Sequence, residues 1–107
     1  MPAYAIAHLR AVRFGAEIAE YLTRIDATLK PFGGAFRVHG ARPLVLEGAW
    51  PGDLIVIEFP DMSQAKAWYA SPAYREIIHL RTLNSEGDVI LIKGVEPGHR
   101  STDLLTP

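Results

Sequence analysis

The sequence contains no cysteine, which excludes a disulfide scaffold, thiolate catalysis, zinc–thiolate sites and iron–sulfur ligation together. Charge of either sign is barely in excess: 11 Lys and Arg stand against 12 Asp and Glu, a formal net charge of −1. A general nucleic-acid binder or a protein held to anionic lipid would show a basic field, so neither partner is expected. No apolar run approaches the ~18 residues of a membrane span. Met1–Arg10 lacks the charged, apolar, small order of a secretory signal, and a cytoplasmic location is expected. The four histidines, His8, His39, His79 and His99, are scattered without HxxxH or HExxH spacing. No glycine-rich phosphate loop and no GxSxG turn occurs. Neither a metal site nor a bound cofactor is therefore expected.

What is present suits one folded domain. At 107 residues the chain matches a single unit, and 49% hydrophobic against 21% charged residues suffices for a real core. Ala3–Arg10 alternates, with Tyr4, Ile6 and His8 on one face and alanines and Leu9 on the other, which predicts a strand. From Phe14 to Phe32 the period changes. Ile18, Tyr21, Leu22, Ile25 and Leu29 recur at helical spacing, and Pro31 with Gly33-Gly34 ends the helix. Ala35–His39 alternates again, and Gly40–Gly52 is a proline- and glycine-containing connection. Asp53–Phe59 (DLIVIEF) is the nearly continuous apolar run of a central strand. Ser63–Ala70 and Pro72–Leu83 are predicted as two helical segments, because Ser71-Pro72 both breaks the first and caps the second. Val89–Ile92 is the last predicted strand. The domain is expected over 1–95, followed by a polar tail, 96–107, mobile or packed on a partner.

The order strand, helix, strand, strand, helix, strand is that of a ferredoxin-like α+β fold: a four-stranded antiparallel sheet with helices on one face. The other sheet face has no cover within the chain, and Ile55–Phe59 and Val89–Ile92 are too apolar to leave it wet. A second copy facing it, a homodimer, is the expected cover.

Five motifs in order carry a family resemblance: Gly33-Gly34-x-Phe36-x-Val38, Leu46-Glu47-Gly48-x-Trp50, Val56-Ile57-Glu58-Phe59-Pro60, Ala67-Trp68-Tyr69-x-Ser71-Pro72-x-Tyr74, and Leu80-Arg81. Over about Ala3–Val95 the chain resembles the family known as domain of unknown function 1330, of the dimeric α+β-barrel superfamily. The resemblance implies two ferredoxin-like protomers facing each other across their sheets. It further implies a small-molecule pocket between sheet and helices, serving a cofactor-independent oxygenase or isomerase. The alternative it leaves open is a non-catalytic ligand-binding or structural, stress-related homodimer. Three positions depart from the family pattern: His39 stands where an arginine is usual, Ala41 replaces a glycine, and the acidic residue expected near Arg13 is missing.

Candidate site residues follow from the cost of placing polar groups in apolar surroundings. Glu58 sits inside the apolar LIVIEF run, where a carboxylate is retained either for an ion pair or for chemistry. His39 and Arg37 lie on one face of the neighbouring strand, so a His39–Glu58 general-base pair is one expectation and a solvated strand pair the other. Glu58 and His39 are thus the catalytic candidates, and Trp50, Tyr69 and Arg37 the ligand-binding ones. Trp50 lies in the connection and must cover a pocket mouth or a partner. Trp68 and Tyr69 diverge by about 100° on a helix, so at most one of them faces the core. Arg81 is read as favourable charge at a helix end, with a carboxylate or phosphate clamp as the less favoured role.

Overall fold

The computed structural model describes residues 1–105. Four strands, β1 (Ala3–Val12), β2 (Ala35–Val38), β3 (Asp53–Phe59) and β4 (Ser85–Lys93), form one antiparallel sheet in the order β2-β3-β1-β4. Helices α1 (Ala16–Leu29), α2 (Met62–Ala70) and α3 (Pro72–Thr82) complete the ferredoxin-like α+β arrangement. Among the described residues no helix is long and apolar enough to cross a membrane.

The central strand β1 assigns the faces of its neighbours. Ala3, Ala5 and Leu9 are buried toward the helices, while Tyr4, Ile6 and His8 point the other way. Ala3 pairs with Phe59, Ala5 with Ile57 and Leu91, and Ala7 with Ile55 and Val89, so these partners share the helix side. By the same register Tyr4 stands between Glu58 and Ile92, and Ile6 between Val56 and Ile90, on the outer face. Ile90 and Ile92, on the edge strand β4, remain 50% and 47% exposed there and form part of an apolar patch on the uncovered face.

Helix α1 buries Ile18, Tyr21, Ile25 and Leu29 as the three-four spacing requires. It tightens through a 3-10 turn, Lys30–Phe32, and leaves through Gly33 at φ 71, a left-handed exit open to glycine. Asp61 caps α2 by accepting from the Gln64 N–H at 2.8 Å. Ser71 accepts from the Tyr74 N–H at 3.3 Å to start α3, while its own hydroxyl donates to the Trp68 carbonyl at 2.7 Å. The break at Ser71-Pro72 is thus held from both sides. Trp68 is buried and Tyr69 only half-buried, as adjacent helical positions require. Phe59, Trp68 and Tyr74 form the centre of the core, with ring centroids 5.4 Å and 4.2 Å apart.

Strand boundaries differ from the sequence expectation. β4 begins at Ser85, not Val89, because β1 continues to Val12 and offers it partners. The polar residues there are held by cross-strand pairs, Arg10 with Asp88 and Arg13 with Glu86. β2 ends at Val38, which leaves His39 outside the ladder. The 96–107 tail carries a 3-10 turn over Ser101–Leu105, with the Arg100 N–H donating to Asp103; residues 106 and 107 lie outside the described residues.

Ser71→Ala removes both the cap of α3 and the hydroxyl bond to Trp68. A loss of about 1–2 kcal/mol is expected, read as a lower urea midpoint at unchanged slope. An unchanged midpoint would mean the break does not depend on this hydroxyl.

Candidate functional site: a cavity between sheet and helices

The alanines of β1 leave room beneath the helices. A cavity of about 400 Å³ opens there, within the range of small-molecule sites. Its walls are largely apolar, with Ala5 and Ala7 on the floor, Ile55 and Val89 beside them, and Ile18 and Ile25 from α1. Phe14 stands on its rim and is 75% exposed.

Five polar side chains reach this space: Tyr21, Tyr74, Arg81, His39 and Asp53. α1 brings Tyr21 and α3 brings Tyr74 and Arg81. The hydroxyls of Tyr21 and Tyr74 are hydrogen-bonded at 2.7 Å, both rings are buried, and they meet edge-on. The Arg81 guanidinium lies 6.0 Å from the Tyr21 ring centroid. Burial, then the neighbouring Tyr74 phenol, raise the Tyr21 pKa far above that of a free tyrosine, and Arg81 only partly opposes them. Burial works against the Arg81 charge, but the Tyr74 and Tyr21 phenols outweigh it and hold the guanidinium more firmly protonated. The Trp68 indole N–H is satisfied separately, donating to Thr28 at 3.0 Å.

Of the five catalytic and ligand-binding candidates Glu58, His39, Trp50, Tyr69 and Arg37, only His39 lines this cavity, stacked on Phe36 at 4.5 Å between centroids. The expected pairing of His39 with Glu58 does not form. Phe36 packs on the helix side, opposite Ile57, whereas Glu58 belongs to the outer face beside Tyr4 and Ala35. Glu58 accepts instead from Arg37 at 3.2 Å, an ion pair open to solvent in the single chain. Trp50 also lies away from the cavity: it stacks on His8 at 4.1 Å, and the His8 ring contacts the Pro51 carbonyl at 2.7 Å. Tyr69 lies under Arg75, which is 4.4 Å from its ring centroid and bonded to its carbonyl. Among the described residues no group of three His, Asp or Glu could hold a metal ion.

Sequence reasoning did not pick out Tyr21 and Tyr74, because each reads as an ordinary core aromatic at helical spacing. Arg81 was read as a helix-end charge. Arg81 does lie in the last turn of α3, where its charge is favourable, while the hydrogen bonds to the carbonyls there come from other groups: Asn84 donates to the Leu80 carbonyl, Ser85 to that of Arg81, and the Leu83 N–H to that of His79. The usable signal was the pairing of α1 with α3 implied by the topology, which brings Tyr21 toward the Tyr74–Arg81 segment.

The sheet order, the split second helix and the cavity under the helices define a ferredoxin-like α+β domain. The chain belongs to the family described as Domain of unknown function (DUF1330), whose model matches residues 2–95. No curated protein matches it. The fold is similar to that of the methylated RPA0582 protein of Rhodopseudomonas palustris: TM-score 0.69 and 21% identity, over 92% of this chain and 84% of that one. It is also similar to a dimeric ferredoxin-like protein of unknown function from Jannaschia sp. CCS1, with TM-score 0.67 and 14% identity over 88% and 100% of the two chains. A third similar structure is SnoaB, a cofactor-independent oxygenase from Streptomyces nogalater, with TM-score 0.55 and 13% identity over 92% and 96%. At these identities the likeness concerns the fold.

The buried hydroxyl pair has a pH signature. Tyr21 stays protonated in the fold beyond the pH at which an unfolded tyrosine ionises, near 10. The unfolded chain then holds fewer protons than the native one, so this contribution is complete below about pH 10 and is lost as pH rises above it. Tyr21→Phe is expected to cost about 1–3 kcal/mol at neutral pH, because it strands the Tyr74 hydroxyl. It should also flatten the decline in the urea midpoint between about pH 9 and 11. Equal slopes for the two forms would contradict the assignment.

Proposed function

We propose that the protein binds a small molecule in the cavity between its sheet and helices. The observation that carries this reading is the cavity itself, about 400 Å³, apolar over most of its wall, with buried hydroxyls and a guanidinium gathered on one side. His39 is the imidazole on that wall, and in a catalytic form of the reading it is the group that accepts a proton from the ligand. Oxygenase or isomerase chemistry without a cofactor is that catalytic form; binding without turnover is the alternative. SnoaB, described as a cofactor-independent oxygenase, supports only that such a fold accommodates such chemistry.

The working unit in this proposal is a homodimer closed across the outer sheet face. Ile6, Val56, Ile90 and Ile92 form an apolar patch there, and Glu58 with Arg37 and Trp50 with His8 border it. Leu44 and Leu46, 86% and 84% exposed on the long connection, are further apolar area that a second copy would cover. The description of the Jannaschia protein as dimeric supports this choice of partner.

Two measurements test these readings. Ala7→Phe places a ring in the cavity, so it should abolish saturable calorimetric binding of neutral two-ring aromatic amides such as 2-naphthamide, with the fold kept. Binding that the variant retains unchanged would refute the cavity reading. Light scattering at micromolar concentration should give twice the 11.8 kDa chain mass, and Ile90→Asp should give the monomer, since it buries a carboxylate in the interface. A wild-type monomer would remove the dimer.

A further inference from the structure

We infer that the ligand of this cavity is a largely apolar carboxylic acid, its carboxylate set against Arg81 and the Tyr21–Tyr74 hydroxyl pair. The inference rests on the small-molecule reading of the cavity and specifies the chemistry of what enters it.

It starts from Arg81, which lies beside the Tyr21 and Tyr74 phenols but has no anionic partner among the described residues. Arg24 on α1 is paired with Glu20 at 3.0 Å and Glu76 at 3.3 Å, and Arg75 on α3 is bonded to the Tyr69 carbonyl. Arg81, by contrast, has no carboxylate within ion-pair distance among the described residues, although it is half-buried. Asp53, the carboxylate on the cavity wall, makes no ion pair with it. The carbonyls at the end of α3 already have donors in Leu83, Asn84 and Ser85. Its place in the last turn of α3 suits the charge but supplies no counter-ion, so a half-buried guanidinium is left whose anion something that binds there can supply.

The hydroxyl pair points the same way. Two phenols carry two protons, and the bond between Tyr21 and Tyr74 uses one of them. The second proton and the guanidinium N–H groups form a cluster with more donors than acceptors, facing an apolar space. The complement of such a cluster is a group that only accepts. A carboxylate fits it best, since its two oxygens match the planar guanidinium fork and can also take a phenol proton. The single cation argues against a doubly charged phosphate. Apart from His39 and Asp53, the rest of the wall is aliphatic or aromatic, with Ala5, Ala7, Ile18, Ile25, Ile55 and Val89 offering no hydrogen bond from their side chains, so most of the ligand's body is apolar.

The test compares 2-naphthoate with 2-naphthamide, which have the same ring system and differ in charge at neutral pH. Titration calorimetry on the wild-type protein should show the acid binding at least about ten-fold tighter than the amide. Arg81→Gln should remove that preference, the acid losing far more affinity than the amide. Arg81→Lys should restore part of it, since the charge returns without the fork. Equal affinity of acid and amide for the wild type, or a preference that survives Arg81→Gln, would overturn the carboxylate inference and leave the cavity reading standing. Binding of neither probe would overturn this inference too. The wild-type comparison needs no substitution, so a variant that fails to fold does not leave the question open.

Discussion

The alternation of the central strand β1 is the constraint on which the rest of the structure depends. It pairs with β3 on one side and β4 on the other, so its two-residue period is imposed on both neighbours. A shift of one residue would bring Tyr4, Ile6 and His8 under the helices and expose the alanines. The observed register instead puts the smallest apolar side chains where α1 and α3 cross the sheet. Small residues there do two things at once. They let Phe59, Trp68 and Tyr74 pack as the core, and they leave the space beside those rings unfilled.

That space owes its character to a second coupling, between the helices. α1 and α3 touch the same sheet face, and the Tyr21–Tyr74 bond joins them across the cavity. A hydroxyl pair in an apolar wall is acceptable because each satisfies the other, and a lone hydroxyl would not be. The guanidinium of Arg81 is placed beside the pair by its position seven residues after Tyr74, two turns along one helix face. The cavity thus has its hydroxyls and guanidinium together on one side and mostly apolar wall elsewhere.

The outer sheet face follows a different logic. Its centre is aliphatic, yet Glu58 sits among those residues because Arg37 is next to it on β2. An exposed pair of this kind contributes little to the stability of one chain, and its importance changes only when the face is covered. In the proposed reading sheet and cavity divide the functional surface, the outer face for association and the cavity for a ligand.

Much of the fold was legible in the residues alone. Period two in Ala3–Arg10, period three-four in Ile18–Leu29, the Pro31-Gly33-Gly34 stop and the Ser71-Pro72 break are local signals, and local signals survive without knowledge of the partner. The motifs from Gly33 to Arg81 added the family. The β4 boundary was hidden because Ser85–Asp88 is polar, and only the extra length of β1 makes it a strand. The site was less legible than the fold. Glu58 and His39 drew attention as polar residues in or beside apolar strands, but which face each takes depends on the β2–β3 register and its irregularity between Phe36 and Val38. Tyr21, Tyr74 and Arg81 lie 53 and 60 positions apart from end to end of the cluster, and nothing in their neighbours' identities links them. The sequence by itself determined which segments are strands and helices and where they stop, because those depend on residues within a few positions of one another. Tertiary structure alone decided which polar groups share a cavity, because that depends on how two helices cross one sheet.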